Sequence, residues 1–306
     1  MRRHGVFLLL MLAGLALGGV YPALAGDYYI GVGLTLLMWI ALTQSWTVLS
    51  GMTGYISLGH AVFFGLGAYV MVLGWSAKLP LLVTIPLAGL VAGLLALLVG
   101  APCLRVRGPY FVILTFGLAE FVKYVVVSVE AGLGKAGRLL FATPSLETLF
   151  YIMLVLAAAA VALCYGVRRS RFGAGLRAIR EDETAAETLG IPVTRFKLTA
   201  YVLSAIIPGM VGAVMMLRST YFEPLQVFNP ITSFTIVSMA IIGGSDDAPG
   251  PLLGAIFLVV LSELLWANAP ELYMVILGAL LVVFVLFLPE GLWGRIQKLW
   301  RRRQAA

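Results

Sequence analysis

Ten apolar stretches follow one another along the chain, at roughly residues 5–25, 30–50, 55–75, 80–101, 109–128, 148–167, 198–217, 230–243, 251–267 and 271–289. Most approach the ~20 residues that a helix needs to cross a bilayer. The pattern predicts an all-α fold, a polytopic membrane helix bundle of about ten transmembrane segments, organised as one domain over residues 1–306. The eighth stretch is short, which leaves it tilted, broken or re-entrant.

Two places are too rich in glycine and polar residues for plain lipid-facing helices. One runs from Ser50 to His60 (SGMTGYISLGH) and continues into Gly65 and Gly67. The other runs from Gly243 to Pro251 (GGSDDAPGP) and continues into Gly254. Backbone freed from a helix inside a membrane must line a cavity or be buried in protein. Gly54, Gly59, Gly243, Gly244, Asp246, Asp247 and Gly250 are therefore candidate hinge or broken-helix positions, and Ser57 and His60 candidates for a passage or its gate. The competing reading is close helix packing through small residues, which the spacings Gly89-x-x-x-Gly93 and Gly250-x-x-x-Gly254 also suggest. Ionisable residues inside a span are costly and so are functional candidates. Glu120 and Lys123, three apart, share a helix face and can pair; they either line the passage or fix helix packing. Glu263, close to Trp266, reads as an interfacial anchor.

One long charged stretch separates the apolar segments, Arg168 to Lys197 (RRSRFGAGLRAIREDETAAETLGIPVTRFK). Within it a short helix is predicted over Asp182 to Leu189. Asp182 or Thr184 would be its N-cap, and Glu187 would complete a capping box after Thr184. Gly190 and Pro192 stop it. Ala185, Ala186 and Leu189 make a small apolar face ringed by charge, the form of a docking knob for a soluble partner.

Composition narrows the class. The chain is 61% hydrophobic and 11% charged, with a mean hydropathy of +1.01, far from the ~45–50% apolar content of soluble domains. If the N-terminus is cytoplasmic, sixteen of the 21 basic residues fall on the inner side and four on the outer, with Lys123 left inside a helix. That asymmetry orients the bundle with both termini and residues 168–197 in the cytoplasm and residues 294–306 as a basic cytoplasmic tail. The net charge of +7 then reflects topology and contact with anionic lipid rather than nucleic-acid binding. Arg2, Arg3, a leucine-rich core and Ala23-Leu24-Ala25 resemble a cleavable signal peptide, but Val6 to Ala25 is long enough to span, and a retained first helix is expected.

Several chemistries are missing. Cys103 and Cys164 form no metal-binding or redox spacing and read as packing residues. Gly132 to Gly137 matches G-x-G-x-x-G without a βαβ unit around it, and Ala136 stands where a Walker A sequence requires Ser or Thr. His4 and His60 are isolated, so neither a metal cluster nor a nucleophile relay is expected. The chain reads as a non-enzyme, with no ATPase site, metal or cofactor of its own.

Arg105-Val106-Arg107-Gly108-Pro109-Tyr110-Phe111-Val112-Ile113-Leu114-Thr115, running on to Glu120, resembles the signature of LivM-type permeases, the membrane subunits of branched-chain amino acid ABC importers. Gly54 to Tyr69, Ser170 to Ile191 and Gly243 to Ala255 resemble that family's other marks in the same order. The resemblance implies a bacterial inner-membrane permease that forms a heterodimer with a second, related permease. It also implies two cytoplasmic ATPase subunits, which bind ATP and Mg, and a periplasmic substrate-binding protein. Residues 168–197 become the ATPase-coupling loop, with Arg180, Glu181, Asp182, Glu183, Thr184, Ala185, Ala186, Glu187 and Gly190 as its contact residues. Tyr110 and Thr115 join Ser57, His60, Glu120 and Lys123 along the substrate path. Thr184 stands where the general importer pattern has Glu, Asp246 where relatives often carry Gly, and Glu130 to Leu140 departs from the family's Gly-rich loop. Charge reversal at Glu183 or Glu187 is expected to abolish uptake without preventing insertion. Urea- or amide-type permeases of the same family, and an ion-coupled secondary transporter using Glu120, remain the alternatives.

Overall fold

The computed structural model describes residues 2–134, 137–245, 249–268 and 291–305, together with 275–276, 278–279 and 282–283. Its long helices are α1 (Arg2–Leu24), α2 (Asp27–Thr53), α3 (His60–Ser76), α4 (Leu81–Cys103), α5 (Pro109–Gly132) and α6 (Leu146–Arg169). Then come α7 (Arg171–Glu181), α8 (Glu183–Thr188), α9 (Val193–Ser219), α10 (Pro224–Val227), α11 (Ile231–Gly243), α12 (Pro249–Asn268) and α13 (Gly291–Ala305). Among the described residues the only strands are β1 (Arg138–Leu139) and β2 (Tyr221–Phe222), paired antiparallel.

The protein is all-α and multi-pass. Among the described residues, seven helical stretches are long and apolar enough to cross a membrane: α2, α4, α5, α6, α9, the run from Pro224 to Gly243, and Pro249–Trp266. The apolar part of α1, Met11–Leu24, and all of α3 are shorter apolar helices. Of the ten stretches expected from sequence, the third begins at His60 rather than at 55, because residues 54–59 are not helical. The eighth, 230–243, reaches spanning length only with α10 in front of it. The tenth, 271–289, lies outside the described residues apart from six positions, as do Asp246 and Asp247.

Helix ends follow local chemistry. Pro109 opens α5 at a position whose backbone N–H is not needed. Ser145 and Ser170 cap α6 and α7 by accepting from the backbone N–H of Thr148 and of Gly173. Gly54 ends α2 in the left-handed region, φ +76°, with its N–H on the Ser50 carbonyl.

The centre of the bundle is α2 and α9, most of whose apolar length is buried, whereas little of α5 is. Close approach of α3 to α9 depends on absent side chains. A methyl group on Gly67 would collide with the Gly209 carbonyl, and one on Gly212 with the carbonyl of Phe64. In the second glycine-rich stretch, Gly250 and Gly254 likewise face the backbone of Gly244 and Met239. Gly243, Gly250 and Gly254 thus let α11 and α12 touch, which favours the packing reading there.

Residues 168–197 are not a loop with one helix in it. Arg168 and Arg169 end α6, Val193 to Lys197 form the first turns of α9, and α7 and α8 fill the space between. α7 is absent from the sequence expectation. Its Gly173 and Gly175, which look like loop residues, are there because the Val167 carbonyl and the Phe196 ring leave no room for a Cβ. Leu176 and Ile179 bury the other contact of α7.

Candidate functional site

The break between α2 and α3 turns back into the bundle. With a rise of ~1.5 Å per residue, Ser45 lies roughly 12 Å inside the end of α2 and Ser204 roughly 16 Å inside the start of α9. Ser45 Oγ donates to the Ser204 carbonyl at 2.9 Å, and in the segment Ser57–His60 the residues Ser57, Gly59 and His60 are buried and Leu58 is partly buried. Its freed backbone groups are satisfied by side chains from elsewhere. Ser50 Oγ accepts from Ser57 N–H at 3.2 Å, and Thr115 Oγ1 accepts from Leu58 N–H at 3.2 Å. Ser57 Oγ accepts from Gly59 N–H, and Ser233 Oγ from Ala61 N–H at 2.9 Å. Trp46 Nε1 donates to the Ser57 carbonyl at 2.9 Å. A non-helical segment is stable in the membrane because α2, α5 and α11 supply these partners.

His60 opens α3 with its ring edge-on to Phe63, centroids 5.8 Å apart. It is fully buried, and its ring nitrogens face the Ser204 backbone without closing a hydrogen bond. The Tyr201 hydroxyl, also buried, stands beside Ser57 and Gly59. The result is a buried cluster of hydroxyls, imidazole and phenol inside apolar helices.

The structure brings together Ser57, His60, Thr115 and Gly59 from the sequence candidates, whereas Gly54 is exposed and lies beside Arg180 at the end of α2. It leaves Tyr110 outside, on an exposed face of α5 at 72% exposure. Glu120 and Lys123 form an ion pair with each other further along that helix. Trp46, Tyr201 and Ser233 are absent from the sequence candidates, and Ser50 figures there only as the start of the polar, glycine-rich stretch. Their one signal in the sequence is a hydroxyl or indole inside an otherwise apolar helix.

At the end of the bundle where α2 and α4 finish, α7 and α8 form an outcrop. Asp182 is the N-cap of α8, its carboxylate accepting from the N–H groups of Thr184 and Ala185. Thr184 is not the cap, and the expected capping box is not built, because Asp182 already fills the position. Glu181, Thr184, Ala185, Glu187, Leu189 and Gly190 are exposed, with Leu189 80% exposed. Ala186 turns inward against Ile179 and Val193, so it is not part of the outer face the sequence suggested.

Two of the charged candidates reach back into the bundle. Arg180 Nη1 donates to the Gly51 carbonyl in the last turn of α2, at 2.8 Å. Glu183, its side chain only 13% exposed, accepts from Lys197 Nζ at 2.6 Å and from the Tyr55 hydroxyl at 2.8 Å, and Arg107 Nε lies 3.3 Å away. Lys197 Nζ spends its other donors on Tyr55 Oη, at 3.0 Å, and on the Leu104 carbonyl, at 3.2 Å. Burial by itself would raise the Glu183 carboxyl. Hydrogen bonds from Lys197 and Tyr55, with the charges of Lys197 and Arg107, outweigh it and hold the group below the usual carboxylate range.

At the opposite end, Glu130 is buried and accepts from Arg138 Nε and from the Tyr69 hydroxyl, both at 2.8 Å. This clamp ties β1 to α3 and α5, and it stands in the very loop whose sequence departs from the expected Gly-rich form. The Tyr28 hydroxyl donates to Glu263, which joins α2 to α12 near exposed Trp266.

A bundle of membrane-length helices, broken at a polar centre and carrying a helical outcrop at one end, defines a multi-pass membrane protein. The chain belongs to the family described as branched-chain amino acid transport system / permease component, whose model matches residues 28–285. It is 27% identical to the high-affinity branched-chain amino acid transport system permease protein LivM of Salmonella typhimurium, over 93% of this chain and 74% of that one. The same identity and coverage hold for LivM of Escherichia coli. The corresponding permease protein LivH of Salmonella typhimurium is 32% identical over 47% of this chain and 46% of that one. No solved structure matches the chain.

Proposed function

We propose that the chain is one permease subunit of an ATP-binding-cassette importer in a bacterial inner membrane, carrying branched-chain or chemically related amino acids. The observation that carries this reading is the family match across residues 28–285. A second permease of the same family completes the passage, a periplasmic binding protein delivers substrate, and two separate ATPase subunits hold ATP and Mg. The chain itself has no ATPase site. Both termini and the α7–α8 outcrop face the cytoplasm, and the bundle crosses the membrane about ten times. The outer face of the outcrop, with Glu181, Thr184, Ala185, Glu187 and Leu189, meets the ATPase subunits. Ser57, His60 and Thr115 lie along the substrate path, with Gly54 and Gly59 as the hinge of the broken helix.

Ion coupling is the weaker alternative, because Glu120, the carboxylate well inside α5, is already paired with Lys123. Urea or amides remain alternative cargo within the same energetics. Uptake of radiolabelled leucine into energised vesicles separates these readings. The importer requires ATP and the binding protein; leucine uptake driven by an ion gradient alone overturns it.

A further inference from the structure

Glu183 begins α8, yet it faces away from the surface that α8 offers to a partner. Its two oxygens and the three donors of Lys197 are taken up by one joint, in which α8, the first turns of α9, the end of α4 and the start of the α2–α3 break meet. Arg180 adds a second tie, from α7 to the end of α2. From Tyr55 a column of edge-on rings leads inward. Tyr55 meets Phe111 at 5.2 Å, Phe111 meets Tyr201 at 6.5 Å, Tyr201 meets Phe63 at 5.5 Å, and Phe63 meets His60 at 5.8 Å. Phe111, Phe63 and Tyr201 are completely buried, so none can shift without displacing its neighbours.

We propose that Glu183 is a positioning residue for transport. It clamps α8 to Lys197 and Tyr55, so that a displacement imposed on the outer face of α8 reaches the polar break through Tyr55, Phe111 and Tyr201. The proposal rests on the importer reading. It divides the outcrop into a face that binds the partner and a joint that transmits the motion, two roles that the linear sequence runs together.

The test uses the complete transporter in proteoliposomes with its ATPase subunits and binding protein. Two quantities are read: retention of the ATPase subunits when this chain is purified by a tag, and ATP hydrolysed per radiolabelled leucine carried. Glu183→Gln keeps the side chain's shape and removes its charge. It is expected to retain the ATPase subunits and to raise ATP hydrolysed per leucine about tenfold, within the span of ordinary coupling energies. Tyr55→Phe removes a single hydroxyl and is expected to raise the same ratio about fivefold, at the lower edge of that span. Leu189→Asp, on the outer face, is expected instead to strip off the ATPase subunits. Because Glu183 and Lys197 act as a unit, Glu183→Gln with Lys197→Gln should be no worse than the more impaired single variant.

Loss of the ATPase subunits from Glu183→Gln, as from Leu189→Asp, would make Glu183 a docking contact and overturn the proposal. So would an unchanged ratio in both Glu183→Gln and Tyr55→Phe, or strict additivity in the double variant. If Glu183→Gln does not fold, Tyr55→Phe decides. An unaltered chain that retains no ATPase subunits and carries leucine on an ion gradient would overturn the importer reading itself, an outcome distinct from the others.

Discussion

Thr115 shows how one hydroxyl can hold a non-helical segment inside a membrane protein. Its oxygen accepts from Leu58 N–H and donates to the Val112 carbonyl of its own helix. Replacing it with an isosteric apolar group leaves a buried donor unmet, which costs about 1–3 kcal/mol. Thr115→Val should therefore lower the thermal unfolding temperature of the detergent-solubilised protein, while Thr115→Ser keeps most of the stability; equal effects from the two would deny the hydrogen bond its role. Ser57 and His60 were legible as candidates because polar residues are scarce in apolar stretches and each needs a partner, whereas Thr115 was a candidate only through the motif that carries the family resemblance. The direction of Glu183 was not legible. It depends on Tyr55, which lies 128 positions away along the chain, and on a first turn of α9 that reads in sequence as more of the same charged stretch.

Elements meet closely where side chains are missing. Gly67 on α3 lies against the Gly209 carbonyl of α9, and Gly209 in turn lies against Ala88 of α4. Gly67→Ala must push α3 away from α9, and overpacking of this kind costs about 1–3 kcal/mol. The expected result is a lower unfolding temperature and a lower yield of folded protein, compared with Gly166→Ala, whose added methyl meets open space. Should the two variants unfold alike, the close contact of α3 and α9 is not what stabilises the bundle. α7 teaches the reverse lesson about reading glycines. Gly173 and Gly175 suggest a loop when local propensity is considered alone, yet helix propensity is a weak prior that packing overrides. α8 was found correctly because its signals are local: an acidic N-cap in Asp182 and a left-handed Gly190 at φ +83°.

For the molecule as a whole, the contacts gather Thr53–Tyr55, Leu104–Arg107, Arg180–Glu183 and Lys197 at one end. Glu130, Arg138 and β2 mark the other. In the proposed topology, which rests on the distribution of Lys and Arg, the first end faces the cytoplasm. Single cysteines at Thr188 and Phe141, both exposed, test this with a membrane-impermeant maleimide, since Cys103 and Cys164 are buried. Cysteine at 188 should react only in inside-out vesicles and cysteine at 141 only in right-side-out ones. The opposite labelling would invert the bundle and remove the outcrop from any cytoplasmic ATPase.

The sequence by itself determined the helical membrane class, the approximate places of the seven spans found among the described residues, the break after α2 and the short helix of the outcrop. Each of these follows from signals carried by neighbouring residues: length and apolarity, glycine with polar groups, capping residues. Only the tertiary structure decided that the Gly243–Gly254 glycines serve close packing of α11 and α12, that α7 is a helix, and that Glu183 and Ala186 turn inward while Glu187 and Leu189 turn out. Those outcomes depend on groups brought together from distant parts of the chain. A buried carboxylate is tolerated only where its counter-charge and hydrogen-bond donors happen to meet it.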